Sequence, residues 1–107
     1  MLVVYIASQY ELGDKSENVL RQIEIAHTLM DYGFSFYAPL LMHYVEAFRS
    51  RPTDEYMSID LEFVSRCDAV LRLEGRSVGA DIEEAYAREL GIPVVYSIAE
   101  LQALEGR

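Results

Sequence analysis

Four short apolar runs, each followed by a stretch of different periodicity, set the narrowest limit on what this chain can fold into. The first, Leu2 to Ala7 (L-V-V-Y-I-A), is continuous and rich in β-branched residues. That is the pattern of a strand covered on both faces, as in parallel sheets. Phe34 to Ala38 repeats it before Pro39 stops it, and Ala69 to Leu73 and Ile92 to Tyr96 follow. Between the runs the spacing turns helical. Asp14 and Glu17 form a candidate capping box for a helix reaching about Tyr32, with Val19, Ile23, Ala26 and Met30 as its apolar face and Gly33 as its C′ stop. Thr53, as N-cap, opens a second helix to about Arg66, with Asp54 and Glu55 in its first turn. A third spans Gly79 to Leu90 and stops at Gly91, and Ser97 caps a last one to about Leu104. The stretch from Leu40 to Pro52 is expected as a short helix or ordered loop, broken by Ser50-Arg51-Pro52.

Strands alternating with helices imply parallel strands joined by right-handed crossovers. The expected fold is therefore α/β, a three-layer α/β/α sandwich around a doubly wound, flavodoxin- or Rossmann-like parallel sheet of four or five strands, with Leu2 to Ala7 at its centre. A chain of 107 residues that is 51% hydrophobic fills one core and not two, so residues 1–107 are read as a single domain. Eighteen acids against nine bases give a net charge of −9, which argues against a polymeric nucleic acid as partner. No segment is apolar for the eighteen or so residues of a membrane span, and the start M-L-V-V-Y-I-A-S lacks a basic leader region. A cytoplasmic protein with no membrane partner is expected. The lone Cys67 reads as a packed thiol, and two histidines without a His/Cys cluster give no metal site. No cofactor is implied.

Two carboxylates sit where helices should bury hydrocarbon. At 100° per residue, Glu83 falls among Ala80, Ile82, Tyr86, Ala87 and Leu90, whereas Glu84 faces water and can pair with Arg88. Asp60 falls among Tyr56, Met57, Ile59, Phe63 and Val64. A carboxylate on a core-facing stripe costs several kcal/mol unless it is paired, hydrogen-bonded or protonated, and such positions are where catalysis gathers. Glu83 lies near a helix start, which favours its ionised, nucleophilic form, and a second carboxylate nearby would push the Asp60 pKa up. That division of labour is the one used in glycosyl transfer through a covalent intermediate. Ser77 and Gly79, just before the helix, are placed to hold an anion. Ser8 ends the first strand, where open α/β sheets place ligands, and His43 is a candidate to line the pocket from the second crossover.

Tyr5-Ile6-Ala7-Ser8 at the end of the first strand, D-L-E-F-V-S-R-C-D-A-V-L from Asp60 to Leu71, S-V-G-A-D-I-E from Ser77 to Glu83 and A-R-E-L-G-I-P-V from Ala87 to Val94 resemble the nucleoside 2-deoxyribosyltransferase superfamily. Within it the chain looks most like the small phage and bacterial members and the 2′-deoxynucleoside 5′-phosphate N-hydrolases. The resemblance covers nearly the whole chain. It implies that Glu83 attacks C1′ of the deoxyribose, that Asp60 handles the proton of the departing base or a sugar hydroxyl, and that Tyr5 hydrogen-bonds near the nucleophile. It puts Ser77 where the N-hydrolases bind phosphate and the free-nucleoside transferases have an aspartate. The loop after the first strand departs from the pattern, since the N-hydrolases carry Gly-Ser and a basic loop where this chain has Glu11 and Asp14. Arg72 and Arg76 are the nearest positive charges, and both read as solvated strand-end residues.

The expected activity is therefore cleavage of the N-glycosidic bond of a 2′-deoxynucleoside 5′-monophosphate, or a related nucleoside or nucleotide. It would run through a glycosyl-enzyme on Glu83, with Ser77 tilting the outcome toward hydrolysis over base exchange. Catalysis falls to Glu83, Asp60 and Tyr5, and substrate binding to Ser8, Ser77, Gly79 and His43. The alternative is a non-catalytic module that binds or senses a nucleotide. A third reading, an interaction domain without a ligand, expects both acids tied into structural hydrogen bonds with no cavity beside them. The resemblance also implies a homodimer or larger assembly, with an interface expected along Leu40 to Phe48.

Overall fold

The computed structural model describes residues 1–106, and Arg107, the end of the expected domain, lies outside the described residues. In chain order the elements are β1 (Val3–Ala7), α1 (Lys15–Asp31), β2 (Ser35–Tyr37), a 3-10 turn (Pro39–Leu41), α2 (Met42–Phe48), α3 (Thr53–Val64), β3 (Ala69–Arg72), α4 (Val78–Glu89), β4 (Val94–Val95) and α5 (Ile98–Gly106). The sheet runs β2-β1-β3-β4 with every pair parallel, so the fold is the expected doubly wound three-layer sandwich on four strands. Strand order reverses at β1, and the carboxyl ends of β1 and β3 therefore form the crevice where such sheets take ligands.

Alternation along β1 decides which layer each residue serves. Val4 and Ile6 join Ala26 and Leu29 of α1 and Leu101 of α5 in one buried cluster. Tyr5 and Ala7 turn the other way, to Val64 of α3, Val70 of β3 and Ala80 and Ala87 of α4. The register sets Tyr37 of β2 beside Tyr5 and Arg72 of β3 beside Ala7. The helices carrying Asp60 and Glu83 thus pack on the face that Tyr5 looks into.

Local signals place the ends well. The Asp14 carboxylate accepts from the Glu17 amide at 3.1 Å as the α1 N-cap, and Gly33 follows the helix at φ 84°, a conformation that costs glycine nothing. Three expectations are corrected. Thr53 is not the N-cap of α3: the extended Pro52 is, its carbonyl accepting from Glu55, and no side chain caps this end. The buried face of α1 is Val19, Gln22, Ala26 and Leu29, rather than the face through Ile23 and Met30, and Met30 is exposed. On α4, Ile82 and Leu90 are also exposed, leaving Ala80, Glu83 and Ala87 as the buried set. Between β2 and α3, the ambiguous segment forms the 3-10 turn and α2, whose Leu41, Tyr44, Val45 and Phe48 are exposed. Among the described residues no helix is long and apolar enough to cross a membrane.

Candidate active site

Glu83 retains only 6% of its surface, although it sits on a helix whose other buried residues are alanines. Asp60 approaches from α3, and Tyr5 is fully buried in the sheet beneath them. The structure thus brings together the three residues singled out for chemistry. Burial, with Asp60's charge adding to it, raises the Glu83 pKa from 4.5 to about 8, while the Tyr5 hydroxyl and the Arg72 charge pull it down. Asp60 rises from 3.8 to about 7, chiefly through burial, with Glu83 acting to lower it. Desolvation also drives the Tyr5 hydroxyl far up, and both carboxylates add to it, so this phenol stays protonated as a donor.

Two facts sharpen this picture. The first is that burial is the largest cause of the rise in both carboxyls, and Asp60's charge adds to the rise of Glu83. The expectation that a helix start keeps Glu83 ionised therefore does not hold. The reason is positional, because Glu83 lies in the second turn of α4, where the dipole has faded and burial dominates. The second fact is that the Tyr5 hydroxyl and Asp60 Oδ1 are buried without an aligned hydrogen-bond partner. Both groups act on Glu83, which lies between them in this set of interactions. Leaving a buried polar atom unpaired costs ~1–3 kcal/mol, so this arrangement sacrifices stability.

Arg72 is not a solvated strand end. Its guanidinium, 11% exposed, pairs with Asp81 at 2.8 Å and Glu84 at 3.4 Å and donates to the Gly75 carbonyl at 3.0 Å. Glu84 likewise does not simply face water: it is also bound by Arg88 at 3.1 Å and by the Tyr96 hydroxyl at 2.8 Å. Arg72 thus lends charge to Glu83 from a fixed position.

Among the described residues no hydrogen bond joins Ser8, Ser77 or His43 to the pair. The Ser77 hydroxyl oxygen is the N-cap of α4, accepting from the Ala80 amide at 3.0 Å. A side chain at Gly79 would meet Met57 at an ordinary 3.5 Å, so no close approach demands glycine there. Ser8 is buried and turns toward α1, where it accepts from Gln22 at 2.8 Å. His43 shares a hydrogen bond of 2.6 Å with Tyr10 and stacks edge-on with Tyr44.

Sequence reasoning passed over Gln22. Its amide donates to Ser8 and to the Ile6 carbonyl at 3.1 Å, and its oxygen accepts from Leu40 at 2.9 Å, tying the end of β1 to the turn after β2. A polar residue between Val19 and Ala26 carries the same misfit signal as Glu83, on the side of α1 that the expected stripe through Ile23 and Met30 leaves out. Tyr37, at the end of β2, is a second residue missing from the expected set. Its hydroxyl is raised to about 12 by burial, then by Asp60, Cys67 and Glu83, which places it at the edge of the site.

A polar groove of about 710 Å³ opens by Arg21, Arg72, Asp81, Glu84 and Tyr96, and an apolar one of about 260 Å³ runs between β2 and α2 along Tyr37, Leu41 and Val45. Neither is lined by Glu83 or Asp60. Among the described residues no three His, Cys, Asp or Glu side chains are grouped to hold a metal ion. The chemistry on offer is that of two carboxyls raised by burial toward neutral pH beside a phenol that stays protonated.

A family model described as a domain of unknown function (DUF4406) matches residues 2–96. No curated protein matches the sequence. Among solved structures the chain is similar to the 2-deoxyribosyltransferase of the psychrotolerant bacterium Bacillus psychrosaccharolyticus, described as a biocatalyst for the synthesis of antiviral and antitumoral nucleosides. The TM-score is 0.63 at 20% identity, over 86% of this chain and 69% of that one. At that identity the likeness is one of fold.

Proposed function

The chain belongs to the DUF4406 family, and from that premise we propose that it cleaves the N-glycosidic bond of a 2′-deoxynucleoside 5′-monophosphate or a close relative. The observation that carries this reading is the Asp60–Glu83 pair: Glu83 buried and Asp60 half-buried, coupled, raised toward neutral pH, and left with an unpaired Asp60 oxygen and an unpaired Tyr5 hydroxyl. The fold shared with a 2-deoxyribosyltransferase supports it.

In this mechanism Asp60 holds the proton of the pair and Glu83 is ionised when the substrate is bound. A Glu83 carboxylate oxygen attacks C1′, the C1′–N bond breaks, and its electron pair leaves with the base nitrogen, which takes the proton from Asp60. Tyr5 donates to Glu83 and orients it, and Arg72 steadies its charge. Water then attacks C1′, gives its proton to Asp60 and frees Glu83, the hydrolytic outcome. A second base attacking instead gives transfer. Ser77, through the hydroxyl proton its capping role leaves unused, is the candidate contact for a 5′-phosphate, with Ser8, Gly79 and His43 as further substrate contacts. We place the whole chain in one domain acting in the cytoplasm, and assign the exposed apolar face of α2 to self-association. Light scattering that returns a monomer at micromolar concentration would remove that last element.

The test is a panel of nucleosides and nucleotides assayed for free base. Release by the parent and its loss in Glu83→Ala are expected. No release from any substrate, or equal release by the variant, defeats the proposal.

One observation favours a second reading, a module that binds a nucleotide without turnover: Glu83 is buried, Asp60 is half-buried, and neither groove is lined by either. Saturable binding by calorimetry with no product after long incubation would establish it instead.

A further inference from the structure

Tyr37 and Phe63 lie face to face, their ring centroids 4.1 Å apart and their planes 4° from parallel. Aromatic side chains usually sit 4.5–7 Å apart, often edge to face, so this is a close, flat stack. Tyr37 also stacks on Tyr5, at 5.7 Å and 28°. The three rings form a column from the surface to the sheet, beginning at Phe63, which is 38% exposed, and ending at Tyr5, which has no exposed surface. The column passes the carboxyl pair. Phe63 follows Asp60 by three residues on α3, which puts both on one side of that helix. Tyr5 interacts with Glu83 and Asp60 directly, and both also act on the Tyr37 hydroxyl.

Phe63 carries no polar tie and already meets solvent, so swinging it away breaks only apolar contact. Doing so bares one face of the Tyr37 ring next to a site that is otherwise closed. A flat heteroaromatic ring is the chemical group that fits a bared phenol face, and base–aromatic stacking contributes substantially to binding while tolerating different bases. We propose that the face of Tyr37 now covered by Phe63 is the seat of the substrate's planar base, with Phe63 as its removable cover. Tyr37 is then a binding and specificity residue that positions the bond to be broken against Asp60 and Glu83. The identity of the ring as a nucleobase rests on the glycosidic reading above.

The experiment uses the full chain in a Glu83→Gln background, so that binding is measured without turnover. Calorimetry with deoxyadenosine and thymidine 5′-monophosphates should find both ligands, and Tyr37→Leu should weaken each by roughly tenfold or more. Tyr37→Phe, which keeps the ring, should recover most of that loss. Phe63→Ala should bind at least as tightly as its parent, because no cover is displaced. A second measurement needs no ligand: carbodiimide labelling of Asp60 and Glu83 in the otherwise unaltered chain, read by mass spectrometry, should quicken by roughly tenfold in Phe63→Ala, in proportion to the added exposure of the open state. Phe63→Leu, which keeps apolar bulk, controls for loss of fold and should label at an intermediate rate. Unchanged labelling in folded Phe63→Ala overturns the cover. Unchanged affinity in Tyr37→Leu, or no binding of either ligand, overturns the seat. Tyr37-dependent binding in a parent that releases no base would sustain this inference and sink only the catalytic one.

Discussion

Replacing Glu83 by glutamine should make the folded protein more stable, by an amount that grows with pH. Burial is the largest cause of its raised pKa, so the folded state holds the proton more tightly than the unfolded chain does. For a group raised in this way, the stability it contributes is whole below its unfolded value and is lost as pH climbs through its folded value. From the ordinary 4.5 to about 8 is an interval of about 3.5 pH units, and at ~1.36 kcal/mol for each the ceiling is about 5 kcal/mol. Part of that belongs to the coupling with Asp60, whose charge is the second cause, and glutamine can still donate to Asp60. A gain of about 2–4 kcal/mol at pH 8, against almost none at pH 4, is the working figure. Urea unfolding followed by circular dichroism at several pH values measures it directly, because the midpoint shifts while the slope stays fixed. A variant whose advantage is flat across that range, or which is less stable than the parent at pH 8, would show that burial does not govern Glu83.

The same pair predicts that kcat/KM is bell-shaped, with its maximum between about 7 and 8, where the two carboxyls hold one proton between them; a profile that titrates on one side only would contradict this. Arg72→Met removes a charge that lowers Glu83, so the alkaline limb should move to higher pH, checked by the same profile. Gln22→Leu leaves the Leu40 amide and its other two partners without Gln22, and should cost about 3 kcal/mol in chemical denaturation. Ser77→Ala loses the α4 cap, worth ~1 kcal/mol, and should raise KM for a 5′-monophosphate while leaving that for the free nucleoside unchanged.

The architecture was legible because each strand is written as a continuous apolar run and each helix is bounded by residues with one mechanical role, such as Asp14 and Gly33 at the ends of α1. The site was legible to the extent that it violates that code. Glu83 among alanines is visible on a helical wheel, and so, once the face is drawn correctly, is Gln22. What the wheel does not carry is register. Tyr37 joins the site only because β2 pairs in parallel with β1 and sets it beside Tyr5, and Arg72 reaches Glu83 only because β3 brings it level with Ala7. Pairwise chemistry across elements, including the capture of Arg72 by Asp81 and Glu84, depends on that register and on side-chain reach, neither of which periodicity encodes.

Where the proton sits distinguishes the readings more sharply than the fold does. An interaction domain would gain by satisfying its buried groups, since each unmade hydrogen bond costs ~1–3 kcal/mol and several partners are near. Here the Tyr5 hydroxyl and Asp60 Oδ1 are unpaired. A purely binding site could tolerate that, because a ligand can complete the bonds. Catalysis asks for something further, that Glu83 be free of the proton as a nucleophile while Asp60 holds it as an acid. Burial raises both carboxyls toward neutral pH, so the pair can keep a proton there. The Tyr5 hydroxyl acts to lower Glu83 and so favours its carboxylate form. Tyr5→Phe should therefore reduce turnover far more than it weakens substrate binding. An equal loss in both would reduce Tyr5 to a binding contact and favour the module that senses its ligand without cleaving it.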